Sequence, residues 1–381
     1  MDDIEEIRAW LVLLRAPGVG AAGLRALLGR AGSATALLER REWLRERSGR
    51  EETRRWLEQP DMARIDTDLA WLAEPGHRLL RCTDADFPPQ LEQVDHPPAA
   101  LFVDGDAGAL LRAQVAVVGA RGASPQGLED ARRFAGHLAA SGLVVTSGLA
   151  DGIDGAAHAA ALDAGGSTIA VLGTGVDVAY PRKHASLAAR VAAGGALVSE
   201  FPLGTGARAE HFPQRNRIIS GLALGTLVVE AGLRSGSLIT ARLAAEQGRE
   251  VHVLPGSIHS PLKHGCHRLI RDGARLVEHP GEVIESLAPA ARALGAELAA
   301  RLDTTLEKGQ DSPDTRTDDP EYRALFAALG NDAASLDQLA ARSGLGAAAL
   351  SSMLLLLELE GEVASLPGGR FQRLMKSAPP P

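Results

Sequence analysis

Apolar residues over the first 75 positions recur three and four apart and nowhere alternate, so this part of the chain predicts packed helices. Between 76 and 113 prolines break every run, as in "DFPPQLEQVDHPPAALFVDGD", which predicts an irregular connector. The pattern changes at Gln114. Short continuous apolar runs rich in Val and Ile occupy 115–119, 143–148, 168–173, 196–200, 226–230 and 251–256, and helical periodicity fills most gaps between them. Such runs suit strands covered by helices on both faces, so 114–290 predicts a Rossmann-like, doubly wound α/β domain on a parallel sheet. Residues 303–320 are polar and nearly free of large apolar side chains, which predicts a linker. In 321–376 a helix, a glycine turn, a second helix and a strand pair closed by "PGG" predict a winged helix-turn-helix.

The sequence contains one literal GxGxxG, "GVGAAG" at Gly18–Gly23. A dinucleotide fingerprint needs a strand before it, and here "WLVLLRAP" reads as a helix stopped by Pro17. The surrounding "LLRAPGVGAAGLRALL" fits a helix-hairpin-helix turn or a plain turn in a bundle, so 1–75 is expected to be a SAM or helix-hairpin-helix-like domain. None of the four lysines follows a glycine, which excludes a Walker A loop.

Charge narrows the choice. The formal net charge is -8, yet residues 115–280 hold sixteen Lys and Arg against thirteen Asp and Glu. The middle is mildly basic between acidic flanks, which permits a polyanion site. Two distant cysteines, Cys82 and Cys266, indicate neither a disulfide framework nor a zinc site. The acidic start "MDDIEEIRAW" is no signal peptide and no apolar run is long enough to span a bilayer, so a cytoplasmic location is expected.

In an open parallel sheet, ligands gather outside the carboxyl ends of the strands. The turns expected there are "GARGASP" from Gly119, "SGLADGIDGAAH" from Ser147, "GTGVDVAYP", "EFPLGTGARAEHFPQRNR" and "EAGLRSGSLITA". Ser124 and Pro125 make a good N-cap and first helical residue, which would set Arg121 beside a helix N-terminus, a natural anion site. Ser235, Gly236 and Ser237 repeat that arrangement, and Arg215 and Arg217 offer fork-shaped heads for phosphate oxygens. One such turn is ordinary; several on one sheet edge predict a phosphate-lined crevice. Asp154 and His158 share a helix face but lack a third ligand, so a core or helix-end role is expected and no metal. Glu230 ends a strand facing the arginines and could pair with Arg217 or Arg234.

Six blocks in order, "VGARGASPQG", "SGLADGIDGAAHAAAL", "IAVLGTGVDVAYP", "SEFPLGTGARAEHFPQRNRIISGLA", "VVEAGLRSGSLITARLAAEQGREV" and "LPGSI…GCHRLIRDGA", resemble the DNA-processing protein A (DprA/Smf) family. One departure is His184 in "YPRKH", where the family pattern has Asn. The resemblance implies a protein without catalytic activity or cofactor that binds single-stranded DNA, dimerises through the Rossmann-like domain and loads RecA during natural transformation. It implies a pocket of Gly119, Arg121, Ser124, Ser147, Gly148, Arg215, Asn216, Arg217 and Ser235–Gly236–Ser237, with Arg182 and Lys183 on its rim, and a dimer surface near 265–277.

Aromatic residues make up 3% of the chain, too few for a long base-stacking platform, so the expected grip is on the phosphate backbone. Phe201 and Phe212 border the crevice, where packing is the expected role of each. The presumed recognition helix, 346–360, has no Lys or Arg, so the winged module is expected to meet protein, or DNA only through its wing. The competing reading is a phosphoribohydrolase of nucleotide monophosphates. Such an enzyme needs a PGGxGTxxE turn with a catalytic glutamate, and "EAGLRSGSLITA" has no acid at the matching distance.

Overall fold

The computed structural model describes residues 2–310, 320–329, 334–346, 350, 353–354, 357, 363–366 and 370–373. They fall into two compact units divided between Glu297 and Leu298. The first unit opens with six helices, Asp2–Leu14, Ala21–Ala31, Ala34–Glu39, Arg41–Ser48, Glu51–Glu58 and Met62–Leu72. Ser33 and Asp61 start two of them by accepting the N–H of Ala36 and Arg64. Trp10, Leu11, Leu13, Leu24 and Leu37 bury one face of this bundle in a core continuous with Phe102, Ala170, Leu172 and Leu197. Arg15 adds a polar strut: it bonds both oxygens of buried Asp68 at 2.7 and 2.6 Å and the Leu203 carbonyl at 3.0 Å.

Nine strands form the central sheet: β1 His77–Arg81, β2 Ala100–Gly105, β3 Gln114–Val118, β4 Val144–Ser147, β5 Thr168–Val171, β6 Ala196–Ser199, β7 Gly225–Val228, β8 Glu250–Val253 and β9 Arg275–Leu276. Their order is β1-β2-β6-β5-β4-β3-β7-β8-β9. From β6 to β9 every pairing is parallel. β3 to β7 are wholly buried, in keeping with their unbroken apolar runs. The fold is therefore α/β on a mostly parallel sheet.

The sequence reading of 76–113 as irregular needs correction. That segment supplies β1 and β2, which extend the sheet antiparallel, with Arg81 opposite Ala100 and Gly105 opposite Ala196. Each strand is short and closely flanked by Pro, Asp or Gly, so neither builds a recognisable period by itself. The expected linker 303–320 also begins inside a helix, Pro280–Gln310; its Thr, Glu, Lys and Gln are acceptable helix residues, and 311–319 lie outside the described residues.

The second unit contains helices Pro320–Leu329 and Leu336–Ser343, the latter opened by a Ser335–Gln338 capping box. A three-stranded sheet is ordered β10 (Ala334–Ser335), β12 (Arg370–Arg373), β11 (Val363–Leu366). Leu325, Leu329, Leu339, Leu354 and Val363 form its core. The unit is a winged helix, although most of the expected recognition helix 346–360 lies outside the described residues. Arg342 is spent internally on the Ala328 carbonyl at 3.3 Å.

Candidate nucleic-acid site

The chain leaves β3 towards β4 on one side of the sheet and β7 towards β8 on the other, so the strand order reverses between β3 and β7. The carboxyl ends of strands at such a reversal frame a crevice. A cleft of about 690 Å³ opens there, lined by the turn after β3, the turn after β7 and one face of helix His211–Leu222. Of the residues expected from sequence, Gly119, Arg121, Arg215, Asn216, Ser235, Gly236 and Ser237 line it together.

Arg215 is the buried cation of this cleft, only 5% exposed. Its Nη1 donates to the carbonyls of Gly148, at 2.7 Å, and Val171, while its Nε has no partner among the described residues. Burial, with the nearby charge of Arg121, pushes its pKa down to about 10 against the opposing pull of Asp154, so it stays charged at neutral pH. Arg121 is exposed and lies over the Phe212 ring, 5.5 Å from its centroid, while Tyr180 meets the same ring at 5.5 Å. Two guanidinium groups facing one space repel each other, and a bound anion would relieve that repulsion.

Two close approaches shape the wall. A side chain at Gly148 would fall on the Arg215 guanidinium. Gly152, at φ 76°, brings its backbone against the carbonyls of Ala120 and Arg121, where a Cβ would collide. Asp154 is buried at the start of helix Ile153–Asp163 and accepts the N–H of Gly148 at 3.1 Å and Ala150 at 3.4 Å. Burial raises its pKa, opposed by Arg215 and these N–H groups.

The helix N-termini differ. At Pro125–Ala140, Glu230 occupies the expected anion site: its carboxylate accepts the Ser124 N–H at 2.9 Å and the Ser124 hydroxyl at 2.7 Å, while Ser124 caps Gly127. Ser124 therefore serves its own helix, and Glu230 pairs with neither Arg217 nor Arg234. At Ser237–Glu246 the N-cap is Gly236, which has no side chain to offer; the Ser235 hydroxyl accepts the Ser237 N–H at 3.4 Å and bonds the Ser237 hydroxyl at 2.7 Å at the cleft's edge. This second end carries no carboxylate and lies on the cleft wall.

Four more expected residues stand outside the cleft lining. The Ser147 hydroxyl is buried on the Val117 carbonyl at 2.6 Å. Gly148 contributes its backbone and the space for Arg215. Lys183 is exposed and paired with Asp151 at 2.9 Å. Arg217 turns away to Glu200 at 2.6 Å and to the His96 carbonyl at 2.9 Å. Helix geometry explains the last: positions two apart point about 200° apart, so Arg215 and Arg217 cannot share one face. Arg234, which lines the cleft and has no ion-pair partner among the described residues, is the cation the sequence reading left out of the pocket. His158 is a core residue: its Nδ1 meets Thr168 at 2.7 Å and burial pushes its pKa down to about 3.

No cluster of potential metal ligands occurs among the described residues, and no helix is long and apolar enough to cross a membrane. The family model for DNA recombination-mediator protein A matches residues 78–288, and that for a DprA winged helix domain matches 309–369. Protein Smf of Escherichia coli is 46% identical over 314 residues, 82% of either chain. Among solved structures, DNA processing protein A of Streptococcus pneumoniae superposes with TM-score 0.65 at 35% identity, covering 73% of this chain and 97% of its own. The Helicobacter pylori protein of the same name gives TM-score 0.51 at 27% identity, covering 56% and 96%.

Proposed function

Since the chain belongs to the DNA recombination-mediator protein A family, the DprA/Smf proteins, we propose that it binds single-stranded DNA in the cleft between β3 and β7 and acts in DNA processing during transformation. The observation that carries this reading is the convergence of Arg121, Arg215 and Arg234 with the helix N-terminus at Ser235–Ser237, which holds no carboxylate, in a chain of net charge -8. The Helicobacter pylori relative is described for its single-stranded DNA binding mode, which supports the choice of polymer over mononucleotide. The grip is on phosphates and indifferent to base sequence.

The protein works by binding, without catalysis. Ser147 is spent on the Val117 carbonyl, Glu230 on a helix end, and Asp154, the carboxylate that lines the cleft, on the N–H groups of Gly148 and Ala150. A homodimer formed near 265–277 hands the strand to RecA.

The test is a titration with single- and double-stranded oligonucleotides at two salt concentrations. Three phosphate contacts give a log–log salt slope near -2, hence a loss of about 20-fold between roughly 50 and 200 mM salt. Affinity unchanged by salt overturns the phosphate grip, and release of free base from AMP would revive the phosphoribohydrolase.

A further inference from the structure

A second cleft, of about 430 Å³, lies between the N-terminal helices and the loop that precedes helix His211–Leu222. Arg15, Trp56 and Arg64 line it from one side and Phe201, Arg208 and His211 from the other; among the described residues no Asp or Glu does. The cations are not equally available. Arg15 is committed to Asp68. Arg64 has only the exposed Asp61 at 3.2 Å, a surface pair that contributes little. Arg208 is exposed and has no ion-pair partner among the described residues.

The flat surfaces are fixed in place. Phe201 and His211 stack with centroids 4.0 Å apart and planes 17° from parallel. The Trp56 indole N–H is held by the Val12 carbonyl at 2.9 Å, which orients its ring. A cationic groove with pre-set aromatic faces is the combination that holds an unpaired nucleic-acid strand.

The two clefts share one wall. Along 208–212, Ala209 and Phe212 line the first cleft, while Arg208 and His211 line the second. A strand leaving the first cleft over this ridge runs towards the second. A flexible single strand can turn over such a ridge, whereas duplex DNA, stiff over about 150 base pairs, cannot.

We infer that the second cleft is a continuation subsite for the same single strand, with Arg208 and Arg64 on its phosphates and a base against the half-buried rings of Trp56 or Phe201. The N-terminal helices are then part of the DNA-binding surface. This inference rests on the single-strand reading of the first cleft.

The test compares the full chain with Arg64→Ala/Arg208→Ala, both exposed positions, on oligothymidylates of roughly 4 and roughly 16 nucleotides. The double variant should lose about 10-fold in affinity for the long strand, with a salt slope shallower by about 1.4, and stay within about twofold on the short one. Arg208→Lys, which keeps the charge, should recover most of the loss. Equal long-strand affinity for wild type and double variant, while Arg121→Ala weakens both lengths, overturns the second subsite and leaves the first standing. If the wild-type chain binds neither length, the single-strand reading itself falls and the subsite with it.

Discussion

Alanine at position 148 measures how firmly the buried arginine is seated. Gly148 is not in the left-handed region, so its backbone can accept alanine, but the new Cβ would fall on the Arg215 guanidinium. Arg215 is 5% exposed, and its head is bonded to two carbonyls, one of them Gly148's own. Either the end of β4 shifts or the guanidinium leaves its seat. Overpacking of this kind costs about 1–3 kcal/mol, and hydrogen bonds from a charged donor are worth about 1.5–3 kcal/mol each. A loss of about 2 kcal/mol is therefore expected, because an expelled head regains water. In an Arg215→Ala background the obstruction is gone, and Gly148→Ala should be neutral or gain about 0.5 kcal/mol from a less flexible unfolded chain. The assay is urea unfolding of the four proteins of this cycle, following the transition of the α/β unit. A coupling of about 2 kcal/mol is the expected result. Costs that agree in the two backgrounds to within about 0.5 kcal/mol would show that position 148 and the guanidinium do not share that space, and the account of the cleft wall would fail.

Arg121→Ala should leave the unfolding midpoint nearly unchanged, since Arg121 is exposed and lies only against the half-buried Phe212 ring, yet flatten the salt slope of single-strand binding by about 0.7, as for one lost phosphate. Arg217→Ala should do the opposite: it strands Glu200, 17% exposed, at a cost of about 1–3 kcal/mol in urea unfolding, while short-strand affinity stays within about twofold. Acid should weaken the fold early. Burial holds His158 near pKa 3 and His252 near 4, so below about 6.5 the unfolded chain takes up protons that the folded chain refuses, and stability falls by up to about 1.4 kcal/mol per pH unit for each. The raised pKa of Asp154 acts in the other direction. Unfolding midpoints between pH 7 and 5 should drop in the wild type and drop less in His158→Gln.

Strand cores were legible in the sequence because a strand covered on both faces must be apolar at every position, and β3 to β7 are. Their ends were read a residue or two long, since Gly119 or Gly173 can close a strand or open a turn with equal ease. β1 and β2 escaped because β2 joins the sheet through β6, far along the chain, and β1 joins it only through β2. The same distinction separates the hits from the misses in the cleft. Which turns face one another follows from strand order, so Arg121 and Ser235–Ser237 could be named as one group before any coordinates. Which charge answers which could not. Glu230 and Ser124 are 106 positions apart, and their bond turns an expected phosphate site into a closed helix end. With that end closed, the helix beginning at Ser237 is the one at the cleft whose N-terminus holds no carboxylate. Arg234, three residues before that helix, thus joins the cleft lining, and Arg217, on the far face of its helix, stands outside it.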